Sequence, residues 1–186
     1  MCIMLAVFMG KVLKKKTAVA GDEVTYSLML RQMQKAAAIQ HKGIASRHAY
    51  SMDGIDYYCG IRDEDIGILR QKYDVIILDI SFENTFDNTN VTFARMVSRL
   101  SACDEKILAG SMLPWKSREC EKKMERIERF LDIRGLKMVT VAACDKEAVS
   151  IIKKHGVEVV LIPFERNPFV ISGENLRSFL ELLKIT

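Results

Sequence analysis

The sequence predicts a three-layer α/β fold with a mostly parallel, doubly wound sheet, and two patterns lead to that prediction. Short runs of β-branched and other apolar residues recur along the chain, and amphipathic stretches long enough for helices separate them. Continuous apolar runs are typical of strands covered on both faces, as in parallel sheets. Strands that alternate with helices require crossover connections, so we expect helices on both faces of the sheet.

The individual elements follow from the same patterns. The predicted strands lie within residues 75–78, 106–109, 138–142 and 157–162, with weaker candidates at 17–20 and 55–58. Residues 116–133 have apolar side chains on one helical face, and Ser172 can cap a last helix. Residues 34–60 are expected to hold a helix end, a polar loop and the short strand. Because no linker divides the chain, residues 1–186 are predicted to form a single domain.

The composition narrows the classes of function. The net charge is +4, and the basic residues are spread along the chain, which is not a nucleic-acid signature. Five cysteines without a CxxC pair and three scattered histidines indicate neither a disulfide framework nor a zinc site. The apolar N-terminal run is too short for a membrane span, and its lysines follow it rather than precede it. We therefore expect a cytoplasmic protein.

Asp79 is the best candidate for a functional side chain. It ends the apolar run Val75–Leu78, and ligands bind at the carboxyl ends of the strands in open α/β sheets. P-loop enzymes use such a carboxylate near the magnesium ion of a bound nucleotide. The alternative is a polar residue that starts the following loop, and the pattern by itself favours neither.

Several strings resemble the ParA/MinD-type ATPases, especially a divergent branch similar to TadZ-like pilus-assembly proteins. Residues 73–79 resemble the Walker B strand of that family, and residues 104–111 resemble the strand that follows it. Residues 112–116 enter the long helix as in the family, and residues 159–164 resemble a late strand that ends in Ile-Pro. The resemblance covers residues 1–186 and implies a P-loop NTPase-like fold, degenerate at the N-terminus.

The resemblance also implies residues of a nucleotide site. Asp79 would lie near Mg²⁺, and Asp22 follows the second strand, where the family places a carboxylate. Pro163 and Phe164 belong to a loop that corresponds to one near the adenine. Residues 142–144 offer no counterpart of the asparagine that the family places near the base.

The glycine-rich phosphate loop of the family has no good counterpart. Gly10, Lys16 and Thr17 can be aligned with a GxxxxGK[ST] pattern, but larger side chains replace the other glycines and would obstruct a phosphate. In the alignment that we favour, residues 2–13 form the helix that normally follows the loop, and residues 17–20 form the second strand. The first strand and the loop would then be absent, through truncation or a misplaced start.

From these observations we expect a degenerate ParA/MinD-like nucleotide-binding-fold protein that acts as an interaction or scaffold module with little or no ATP hydrolysis. No cofactor is expected. ATP with Mg²⁺ is expected to bind only if a phosphate loop is supplied upstream. A protein partner or a homodimer is expected, because the family dimerises across the nucleotide face. The alternatives are a truncated fragment of an active ATPase and a receiver-like signalling domain with Asp79 as phosphoacceptor.

Overall fold

The computed structural model describes residues 1–21, 37–38, 48–80, 90–111, 114–133, 135–141, 150 and 153–185. The chain divides into two compact units, Met1–Asn88 with Asn167–Ile171, and Thr89–Arg166 with Ser172–Thr186. Each unit contains one β-sheet. None of the helices formed by these residues is both long and apolar enough to cross a bilayer.

The first unit begins with a helix and is built on a five-stranded sheet. Helix α1 (Cys2–Val7) continues as a π-helix over Phe8–Val12. The strands are β1 (Thr17–Gly21), β2 (Ala37–Ala38), β3 (His48–Met52), β4 (Ile55–Cys59) and β5 (Val75–Leu78), and α2 (Asp63–Lys72) connects the last two. The strand order is β2-β3-β4-β1-β5, with β1 parallel to both of its neighbours and β3 antiparallel to β2 and β4.

Strand β1 is the centre of this sheet. All five of its residues are buried. On one of its faces, Ala18 and Ala20 pack with a core cluster that includes Tyr58, Leu69 and Tyr73. Helix α1 is apolar nearly all round, and its residues from Ile3 onward are buried, as expected of a helix without a solvent-facing side.

The hairpin that joins β3 to β4 corrects the prediction of a polar loop before Ile55. Its turn is Asp53-Gly54, and both residues have positive φ angles, 56° and 78°. Two central residues with positive φ define the turn that Asp-Gly favours, because its twist matches that of the flanking strands. The Asp-Gly pair is therefore the sequence signal that identifies strand β3.

The second unit is built on a three-stranded parallel sheet. Its elements are α3 (Asn90–Ser101), β6 (Ile107–Ala109), α4 (Pro114–Glu128), β7 (Lys137–Thr140), β8 (Glu158–Leu161) and α5 (Gly173–Leu183). The strand order is β6-β7-β8. The cap predicted for the last helix is confirmed, since Oγ of Ser172 accepts a hydrogen bond from the Asn175 N–H at 3.2 Å.

A chain of hydrogen bonds links β4 to the residues before β5 in the first unit. The hydroxyls of Tyr58 and Tyr73 lie 2.6 Å apart, and Tyr73 donates to Oδ2 of Asp56 at 2.5 Å. Tyr73 has one proton to donate, so Tyr58 is the donor in the first bond. Burial is the main cause that raises the pKa of Tyr73, and the hydrogen bond to Asp56 raises this pKa further. The hydroxyl of Tyr57, the residue before Tyr58 in β4, is also buried, but it has no hydrogen-bond partner among the residues described above.

Tyr73 and Tyr57 provide a matched test of what stabilises the first unit. We expect Tyr73→Phe to lower the free energy of unfolding by about 1–3 kcal/mol, because it removes the hydroxyl that joins Tyr58 to Asp56. Tyr57→Phe removes a buried hydroxyl without a partner, so it should be neutral or stabilising. Urea denaturation of the two variants measures the difference. An equal loss of stability in both would contradict the assigned hydrogen bonds.

Candidate functional site

The carboxyl edge of the first sheet is where Asp79 lies. Its backbone N–H donates to the Ala20 carbonyl at 2.8 Å, and the Gly60 N–H donates to the Gly21 carbonyl at 3.0 Å. These bonds align the ends of β1, β4 and β5, and the Asp79 side chain is half-buried there. Asp22, the residue after Gly21, lies outside the described residues. Asp79 thus has the position that the sequence predicts, at the edge where parallel sheets bind ligands.

Pro163 and Phe164 follow β8 in the second unit. The Ile162 N–H donates to the Thr140 carbonyl at 2.9 Å, which extends the sheet by one bond beyond β8. Pro163 is half-buried, whereas Phe164 is 79% exposed. An aromatic side chain with so little of its surface covered is not part of a preformed binding wall. Asp79 belongs to the first unit and these two residues to the second.

The segment that can be aligned with a phosphate loop has its helix and strand in the opposite order from that motif. A phosphate loop follows a strand and opens a helix, whereas Gly10 lies inside the π-helix and Thr17 is the first residue of β1. Thr17 is fully buried, and its hydroxyl donates to the Lys15 carbonyl at 2.9 Å. The alignment of Gly10, Lys16 and Thr17 with GxxxxGK[ST] is therefore wrong, and the helix-then-strand alignment is confirmed.

Three backbone N–H groups of this segment already have acceptors. The Leu13 N–H donates to the Phe8 carbonyl at 3.1 Å, and the Lys15 N–H donates to the Met9 carbonyl at 3.0 Å. A third N–H, that of Lys16, donates to Oδ2 of Asp74 at 2.8 Å. In a phosphate loop, groups of this kind converge on an anion. Here they close the end of the helix and attach it to the residue before β5.

Two lysine side chains of the segment, those of Lys11 and Lys16, also have partners within the protein. The ammonium of Lys11 lies 2.6 Å from Oδ2 of Asp53, in the turn of the β3–β4 hairpin. The ammonium of Lys16 lies 5.2 Å from the centre of the Tyr73 ring, a cation–π distance. Both cations therefore bind groups of the same unit. Neither arrangement directs them toward a common point where a triphosphate would need them.

Gly10 has a packing role in this arrangement. A Cβ atom placed on Gly10 would lie 3.0 Å from Cγ1 of Ile55, which is fully buried in β4. The missing side chain lets the π-helix approach the sheet closely. In a phosphate loop the same property admits the phosphate instead.

Comparison with known proteins identifies the fold. No protein-family model matches the chain, and no curated protein matches it. Among solved structures, it is similar to the MinD cell division protein of Aquifex aeolicus, with 12% identity and a TM-score of 0.64 over 100% of this chain and 92% of that one. A chain of the MinC:MinD cell division protein complex of Aquifex aeolicus gives 13% identity and a TM-score of 0.65 over 99% of this chain and 91% of that one.

A plasmid partition protein from Borrelia burgdorferi is similar as well. The identity is 13% and the TM-score 0.57, over 99% of this chain and 89% of that one. At such low identity these likenesses show the fold and nothing further. The chain has the MinD/ParA-type α/β fold, which confirms the fold class predicted from the sequence.

Two glycines test whether Gly10 serves packing. We expect Gly10→Ala to lower the free energy of unfolding by about 1 kcal/mol, because the contact with Ile55 outweighs the gain in helix propensity. Gly67 is the matched control, since it lies in α2, is exposed and has open space around it. Gly67→Ala should therefore stabilise the protein by roughly 0.5–1 kcal/mol. Chemical denaturation of both variants decides the point, and a stabilising Gly10→Ala would refute the packing role.

Proposed function

We propose that this chain is a protein-interaction module on the MinD/ParA-type fold and that it does not hydrolyse ATP. The observation that carries the proposal is the occupied set of backbone N–H groups at Leu13, Lys15 and Lys16. Catalysis of phosphoryl transfer consists mainly of positioning and charge neutralisation by such groups and by lysines. Because these three N–H groups are bonded within the protein, they are not available to a triphosphate.

Asp79 alone does not compensate for that loss. Magnesium keeps several of its waters and is usually held by one or two carboxylates together with the phosphates of the substrate. Without phosphate binding, a single half-buried carboxylate offers the ion little. The receiver alternative also uses Asp79, but the MinD/ParA-type fold does not favour it. We therefore assign Asp79 no catalytic step.

Two observations support a role in protein binding. One of the similar structures is a complex of MinD with MinC, so this fold does assemble with a protein partner. The other observation is the position of β5 at the end of the strand order, where it pairs with β1 and with no other described strand. An apolar edge strand without charges or proline is open to pairing with another chain.

The hydrogen-bonding pattern of β5 shows which groups would take part. The N–H groups of Val75 and Asp79 donate to the Lys16 and Ala20 carbonyls on the β1 side. Because successive residues of a strand direct their backbone groups to opposite sides, those of Ile76 and Leu78 point to the outer edge. We propose that a strand from a second copy of the chain pairs there. A homodimer formed in this way would not depend on a nucleotide.

The first experiment concerns the nucleotide. The melting temperature of the full chain should not change when millimolar ATP and Mg²⁺ are added, because a ligand stabilises a protein only if it binds the native state. Differential scanning fluorimetry measures this, with Asp79→Asn as the comparison variant. A magnesium-dependent rise in the wild type that Asp79→Asn abolishes would contradict the proposal.

The second experiment concerns the edge of β5. Ile76→Pro removes an N–H that points away from β1 and keeps the hydrogen bonds between β5 and β1, although it changes a side chain that packs against the core cluster. The dimer should weaken about tenfold or more. Ile76→Val keeps the N–H and is the matched control. Sedimentation velocity reports the dimer, and circular dichroism reports the fold. A dimer that is unaffected by Ile76→Pro would show that the β5 edge is not the interface.

A further inference from the structure

Three side chains with metal-binding chemistry converge beside α4 in the second unit. Glu121 and Glu125 lie one helical turn apart on α4, so their carboxylates share a face. His155 comes from the helical residues 153–155 that precede β8. Each of the three offers one ligand atom, and these atoms lie within 4.8 Å of one another.

His155 is buried and has one ring nitrogen available. Its side chain is only 2% exposed, and its Nδ1 lies 3.1 Å from Oε2 of Glu128. Its Nε2 is buried and has no hydrogen-bond partner in the part of the chain that the structure describes. When Nδ1–H donates to Glu128, Nε2 carries the free lone pair. A carboxylate that orients a histidine in this way is the usual support of a metal-binding imidazole.

The two glutamates already attract a cation. The ammonium of Lys154 lies 2.9 Å from Oε1 of Glu121 and 2.8 Å from Oε1 of Glu125. The hydrogen bonds to Glu125 and Glu121 raise the pKa of Lys154, and Lys154 lowers the pKa of Glu125. Both carboxylates therefore face one point and favour positive charge there. The ammonium neutralises them, but it leaves Nε2 of His155 without a partner.

We propose that Glu121, Glu125 and Nε2 of His155 bind a divalent transition-metal ion, Zn²⁺ by preference, which replaces the ammonium of Lys154. Zinc takes imidazole nitrogen and carboxylate oxygen at about 2.0–2.2 Å, so donors around a tetrahedral ion lie roughly 3.4 Å apart. The two glutamate side chains are half-buried and flexible enough to close the remaining distance. Imidazole with carboxylates favours zinc over Mg²⁺ and Ca²⁺, which prefer oxygen ligands alone.

Such an ion would join α4 to the residues before β8. Three protein ligands leave a fourth tetrahedral position for water. The spacing rules used for sequence motifs do not find this set, because His155 is 34 residues from Glu121 along the chain. The expectation that the scattered histidines hold no metal considers only distance along the sequence. In the folded unit, His155 lies close to Glu121 and Glu125.

Zinc titration of the full chain tests the site. Isothermal titration calorimetry should show one saturable Zn²⁺ site in the wild type, weakened about 10-fold to 100-fold by Glu121→Gln or Glu125→Gln. Lys154→Met should bind zinc more tightly than the wild type, because it removes the competing cation. Glu119→Gln is the matched control, since Glu119 lies on the same helix and pairs with Lys123 at 2.8 Å, and it should leave zinc affinity unchanged.

The glutamine variants carry the test because their side chains are half-buried, whereas replacing the buried His155 can unfold the unit. A Co²⁺-substituted sample gives a second readout, since nitrogen and oxygen ligands produce no sulfur-to-metal charge-transfer band. The proposal is overturned if neither the wild type nor Lys154→Met binds zinc saturably. It is equally overturned if binding survives both glutamine substitutions, or if the cobalt spectrum shows thiolate ligands.

Discussion

The fold of the first unit depends on one constraint, which is the complete burial of β1 between two parallel neighbours. A strand in that position must satisfy its backbone groups on both sides and present apolar or small side chains on both faces. Strand β1 (Thr17–Gly21) is buried in this way. Its one polar side chain is that of Thr17, and the hydroxyl is satisfied because it donates to the Lys15 carbonyl. The conformation of the segment that leads into β1 is therefore constrained by packing, whatever chemistry its side chains could perform.

That requirement explains why residues with the chemistry of a phosphate loop do not behave as one. Glycine, lysine and threonine bind phosphate only when the backbone around them presents unpaired N–H groups at a helix N-terminus. Here the lysines lie at or after the C-terminal end of a helix, where three backbone N–H groups are already bonded and the groups that a helix leaves free are carbonyls. Lysines in the last turn complement the negative end of the helix dipole. The identity of the side chains is similar in the two cases, and the direction of the helix reverses their role.

How far the sequence predicts the structure depends on how local the determining signal is. The strand Val75–Leu78 and the cap at Ser172 are predicted correctly because each rests on a few consecutive residues. The placement of Asp79 follows in turn, since a carboxyl edge is fixed once its strand is known. The β3–β4 hairpin also has a local signal at Asp53-Gly54, and a reading that weighs turn chemistry recovers it.

Contacts between distant residues have no such local signal. The bond between Tyr58 and Tyr73 requires the register of β4 on β1 and of β1 on β5 to be known first. The approach of His155 to Glu121 similarly requires the packing of two elements separated by a strand. In both cases the residue types are common, and only the fold makes them partners.

Part of the packing in each unit is separate from the groups proposed for binding. In the first unit, the side chains of Ile76 and Leu78 pack against the core cluster, whereas the outward backbone groups of β5 take no part in the tyrosine–aspartate hydrogen bonds. In the second unit, the glutamate cluster lies on the half-buried face of α4, while the buried residues Met124 and Ile127 of the same helix belong to the core. Changes at Glu121 and Glu125 therefore leave these buried residues in place. Strand β1 is held in place by backbone pairing with β4 and β5 and by the packing of Ala18 and Ala20, and all of these interactions lie within the protein.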